Sequence, residues 1–162
     1  MIITSNNFFF NMTIDDWSIM KENKMNAEIQ NMIGVLIHVA KSDEFLDHEE
    51  KKVLKNIIYR YSIDSDDLVK IKNTQENLSE KLLKVKTPEN KELVLKLSAL
   101  IIASDGMITD VEKTTFKNIR NFLGEKEYKY KDIMSEGELD RDKILEQELK
   151  IMDLLPPIES IN

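Results

Sequence analysis

The stretch LVLKLSALIIASDGMITDVEKTTFKNI, Leu93 to Ile119, joins an apolar run to an acidic turn and then to an amphipathic pattern. The same grammar occurs 62 residues earlier. SDEFLDHEEKKVLKNI (Ser42–Ile57) lies over SDGMITDVEKTTFKNI (Ser104–Ile119). Ser42, Asp43, Glu50, Lys51, Lys55, Asn56 and Ile57 match Ser104, Asp105, Glu112, Lys113, Lys117, Asn118 and Ile119, and Leu46 and Ile108 are equivalent apolar residues. The chain is therefore built on two pseudo-repeats, each a buried helix, an acidic turn and an amphipathic helix. Leu93–Ser104 and its counterpart within Met25–Ser42 are apolar on most sides, which predicts two central helices.

Outward from the repeat, helical punctuation dominates. With four glycines and three prolines in 162 residues, breakers are scarce, and strand-like alternation is nearly absent. Thr87-Pro88 marks a helix start, with Thr87 as N-cap and Pro88 at the first helical position. Gly124 marks the stop of a helix begun at Asp110. Further helices are expected over TIDDWSIMKE with Thr13 as cap, over His48–Tyr61, in SIDSDDLVKI, in TQENLSEKLLKV, and over Asp140–Met152. The expectation is an all-α, compact single-domain bundle of about seven to nine helices. Its parts are an N-terminal segment (1–24), a helical domain (25–124) and an acidic helical tail (125–162) frayed at the end. The tail holds eleven acids and six bases, a balance of −5 within a net charge of −7.

That charge, with no basic stripe, argues against nucleic acid and anionic membrane surfaces as partners. The absence of cysteine excludes disulfides, thiolate zinc sites and a cysteine nucleophile. No basic segment precedes the N-terminal apolar patch, so no signal peptide is expected, and no apolar run reaches membrane-spanning length. A cytoplasmic location is compatible with all of this. The sequence leaves the oligomeric state open.

The acidic turns allow two chemistries. Set Gly106 at the sixth position of an EF-hand loop, and Glu112 takes the twelfth and Ile108 the eighth. Positions one and three fall on Ile101 and Ala103, and in the first copy on Val39 and Lys41, so a calcium-sensor loop is incomplete in both. A structural account serves most of these residues. Thr109-x-x-Glu112 is a capping box, Asp47-x-x-Glu50 a near variant, Gly106 supplies a left-handed residue, and Leu46 and Ile108 plug the core. It serves Asp43 and Asp105 less well, since each sits near a helix C-terminus, where a carboxylate is unfavourable. Either backbone amides of the turn offset that cost, or a cation does. The second option names Asp43, Glu50, Asp105 and Glu112 as metal ligands, with oxygen chemistry suited to Ca²⁺ or Mg²⁺. His38 is expected as a hydrogen-bonded core or boundary residue, and His48 as ordinary surface.

Paired S-D-[EG]-x-[LI]-x-x-x-E turns, each after an apolar helix, resemble the TerB-like family, named for bacterial tellurite resistance. The resemblance covers about Met25 to Gly124 and is carried mainly by ASDGMITDVEK and less by KSDEFLDHEEK. It implies a compact all-α module linked to tellurite and other chemical stress, to phage defence and to membrane-linked assemblies. Its acidic turns would serve metal or partner proteins rather than catalysis. Asp43 and Glu50 match the first acidic turn, Asp105 and Glu112 the second, and Gly106 the turn glycine, while Glu44 departs from that glycine. The enzymatic alternative is a small metal-dependent hydrolase using the same carboxylates, which ordinarily adds a His or Lys beside them.

Overall fold

The computed structural model describes residues 14–41 and 48–157, with side chains from residue 27 onward. Asp43, Leu46, Asp47 and Thr13 lie outside the described residues. Among the described residues there are eight α-helices: α1 (Ile14–Ala40), α2 (His48–Arg60), α3 (Ser65–Asn73), α4 (Leu78–Leu83), α5 (Pro88–Ala103), α6 (Asp110–Leu123), α7 (Arg141–Glu146) and α8 (Glu148–Met152). A 3-10 turn spans Glu127–Tyr130, and the strands β1 (Met134–Ser135) and β2 (Glu138–Leu139) pair antiparallel. The domain is all-α, and among the described residues one small hairpin is the only sheet.

The apolar helices α1 and α5 pack against each other at the centre. Val35, Leu36, Val39 and Ala40 of α1, and Leu97, Ile101 and Ile102 of α5, are almost wholly buried. The amphipathic helices α2 and α6 cover them with Leu54 and Ile57, and with Phe116 and Ile119. Burying a side chain of this size stabilises the fold by about 1.5–3 kcal/mol, so the core rests on the two repeated units together.

The 62-residue offset holds in detail. Helices α2 and α6 begin at His48 and Asp110, and the chain turns left-handed at Ser62 (φ 55°) and Gly124 (φ 70°). Both exits close with the same pair of backbone bonds. The Ile63 amide donates to the Ile58 carbonyl and the Ser62 amide to Tyr59; the Glu125 amide donates to Arg120 and the Gly124 amide to Asn121. This is a Schellman-type ending made twice, once with glycine and once with serine.

Three expectations need correction. The helices drawn over TIDDWSIMKE and from Met25 are one continuous helix, α1, so the chain has no break at 24/25. Nothing between Asp16 and Met25 is a glycine or proline that would stop it. Asp140–Met152 is two short helices, because the ladder is interrupted at Gln147. The tail is not a separate appendage. Tyr130, Ile133, Ile144, Ile151 and Leu155 are buried in the same core as α1 and α5. Its end is held through Pro156: the Arg60 guanidinium donates to the carbonyls of Met152 (3.1 Å), Leu155 (3.2 Å) and Pro156. Among the described residues, no helix is long and apolar enough to cross a membrane.

Candidate functional site: an acidic junction between the two repeats

The end of α5 builds the site's first wall. Its last carbonyls need partners, and the structure supplies them in two ways. The Ser104 hydroxyl donates to Ile101 (2.6 Å), and the Arg141 guanidinium reaches from α7 to the Ala103 carbonyl (3.1 Å). A cation at this point also suits the negative end of the helix dipole. Gly106 then takes φ 94°, a conformation costly for any side chain. The chain doubles back, and the Asp105 carboxylate accepts a bond from the Met107 amide (3.2 Å). That bond is one of the two compensations open to an acid at this position.

Helix α6 builds the second wall. The Thr109 side chain accepts from the Glu112 amide (3.2 Å), and Glu112 Oε1 accepts from the Thr109 amide (2.9 Å) and hydroxyl (3.0 Å). The reciprocal capping box is complete. Ile108 is half-buried against the core beneath it.

Glu112 does more than cap. It is 1% exposed, and its equivalent Glu50, in the first turn of α2, is 2% exposed. Residues related by the offset meet here. Glu50, Asp105 and Glu112 each present a carboxylate oxygen, and the three atoms lie within 4.8 Å of one another. At the other end of the central pair, Glu28 of α1 accepts bonds from the Lys86 and Thr87 amides (2.9 and 3.2 Å), beside its own equivalent Asn90 of α5.

Three of the four sequence-predicted ligands therefore share one junction, and Asp43 lies outside the described residues. The cluster draws Glu50 from one repeat and the other two from the second, whereas the sequence grouped each Asp with the Glu of its own turn. Two carboxylates removed from water at this separation repel strongly unless a proton or a cation lies between them. The oxygen-only donor set suits a hard cation. Oxygens on opposite sides of Ca²⁺ stand about 4.6–5.2 Å apart, so a spread of up to 4.8 Å accommodates that ion. Two positively charged helix N-terminal ends, those of α2 and α6, favour anionic Glu50 and Glu112 as well.

The histidines take other roles. His38, expected as a hydrogen-bonded core or boundary residue, lies on the exposed side of α1. Desolvation by its neighbours and, second, the charge of Lys81 hold its imidazole below the ordinary range. His48 is exposed at the start of α2. Sequence reasoning missed Arg141 and Arg60, which pin the tail to the core. An arginine's carbonyl partners 38 or 96 residues away leave no local signal.

No family model, curated protein or solved structure matches the chain.

Proposed function

We propose that this protein is a non-enzymatic, TerB-like helical module that holds one divalent cation at Glu50, Asp105 and Glu112 and acts by binding partner proteins. One observation carries the reading: two almost fully buried glutamates from different repeats converge with Asp105 on a single point. An ion held there would join the two halves and be shielded by α2 and α6. Shielding favours a structural or regulatory ion over a catalytic one, because catalysis needs a coordination position open to substrate. Ca²⁺ fits best, and Mg²⁺ is the second choice. The acidic surface around the turn would then present a conformation set by the ion. A cytoplasmic setting, with roles in chemical stress, tellurite resistance or defence and partners in a membrane-linked assembly, belongs to the same reading through the resemblance of the acidic turns.

The test is thermal or denaturant unfolding of metal-stripped protein with and without added Ca²⁺, for the wild type and Glu50→Gln. At a free concentration of 100 Kd, a single site stabilises by about 2.7 kcal/mol. The wild type should gain that increment and the variant should lose it. Without cation, Glu50→Gln should be as stable as the wild type or more so, since the substitution removes one of two opposed charges. Equal behaviour of both proteins with and without Ca²⁺ would reject the cation.

A further inference from the structure

A surface cavity away from the acidic junction is lined mainly by the opposite charge. It measures about 220 Å³ and lies between α1, α3 and α4. Lys70, Lys81 and Lys84 line it with Glu76, and Asn31 and Thr74 add polar groups. Lys84 is paired with Glu76. Among the described residues, Lys70 and Lys81 have no carboxylate within ion-pair distance. The chain around the cavity, residues 70–86, carries five lysines and two glutamates in a protein of net charge −7. Like charges gathered without counter-charges repel, and a bound anion relieves that repulsion.

Gly34 makes the arrangement possible. It is the one glycine inside a described helix, and it is buried. Glycine is unfavourable there relative to alanine. A Cβ at this position would stand 3.2 Å from Cδ and 3.4 Å from Cε of Lys81. The missing side chain lets the Lys81 stem lie close across α1, where it contributes to the cavity wall.

We propose that this cavity is an anion site for the phosphate group of a small molecule, with Lys70 and Lys81 as its principal charges and Lys84 as a third. Lysines act as mobile point charges and suit a tetrahedral, multiply charged oxyanion better than a planar carboxylate, which arginine's fork matches. The volume is below that of pockets for drug-sized ligands, so the recognised part is the phosphate and little beyond it. The site is independent of the cation reading and stands or falls separately.

The experiment is calorimetric titration of the full chain with inorganic phosphate, pyrophosphate and glycerol 3-phosphate, in chelator so that no cation can mediate. Saturable binding, tightest for pyrophosphate, is expected. Lys70→Ala/Lys81→Ala should weaken it by roughly tenfold or more, the scale of a lost charge-assisted contact. Lys51→Ala/Lys52→Ala, which removes the same charge from the exposed face of α2, should leave affinity within about twofold, as screened distant charges do. Gly34→Ala keeps every charge but displaces the Lys81 stem. It should weaken binding several-fold while the unfolding midpoint stays level or rises. Absence of saturable binding, or equal losses in the two double variants, overturns the proposal. Undiminished affinity in Gly34→Ala overturns the seat assigned to Lys81. Vesicles of phosphatidylcholine with and without phosphatidic acid identify the source. Recruitment by phosphatidic acid that glycerol 3-phosphate competes away assigns the group to a lipid headgroup, and soluble binding without recruitment assigns it to a metabolite; either result upholds the site.

Discussion

The exits of α2 and α6 are made by the same two backbone bonds around the same left-handed residue, yet one uses serine and the other glycine. Their entrances are likewise equivalent in position, at His48 and Asp110, and each places a buried glutamate in its first turn. Between these points the two copies share Lys51/Lys113, Lys55/Lys117, Asn56/Asn118 and the buried pair Ile57/Ile119, and differ at their other exposed positions. The comparison teaches which features the repeated architecture demands: a buried apolar face, a turn closed by backbone bonds, and an acid at the junction. The residue that supplies the turn is negotiable at a small cost.

The largest effect should come from the shared apolar face. Ile57 and Ile119 are equivalent and fully buried. Replacing either with alanine should cost about 2–5 kcal/mol in chemical unfolding, and the two losses should be similar if both halves share one core. A loss confined to one of them would break the equivalence. The exits come next. Gly124→Ala puts a side chain into the left-handed region and should lower stability by about 1–2 kcal/mol. Ser62→Gly should do the reverse by less than that, since the chain already tolerates serine there. The entrance caps follow: Thr109→Ala removes a two-way capping box and should cost about 0.5–2 kcal/mol.

The smallest effect concerns the opposite end of the central pair. Burial pushes the Glu28 carboxyl up, but the Lys86 and Thr87 amides and the Asn90 side chain together pull it below the usual carboxylate range. A depressed folded value means a contribution present above the unfolded value and lost as pH falls through the folded one. Comparison of the wild type with Glu28→Gln across the acid range should therefore show a small advantage for the wild type at neutral pH. It should vanish below the ordinary carboxylate titration.

Much of this was legible in the chain. The Thr87-Pro88 start, the Thr109–Glu112 box and Gly124 are local patterns that local hydrogen bonding dictates, and the offset shows as matching residues 62 positions apart. Other features depend on distance. The hairpin at Ser135–Glu138 turns on Glu136 and Gly137, both at positive φ, and its strands of two residues are too short to show alternation. The tail's share in the core is hard to read because charge dominates its composition, while Tyr130, Ile133 and Ile144 are spaced too irregularly to announce one face. The acidic junction was half legible. The acids were evident, but their grouping across repeats arises from packing two equivalent units face to face, which no spacing within one turn encodes.

The measurement that most directly tests the junction is a calorimetric titration of Ca²⁺ into metal-stripped wild type and Asp105→Asn. That substitution keeps an oxygen for the Met107 amide and removes only charge. One ion per chain in the wild type, with affinity weakened by roughly tenfold or more in the variant, is the predicted result. No binding in the wild type, or undiminished binding in the variant, would contradict a cation held between the two repeats.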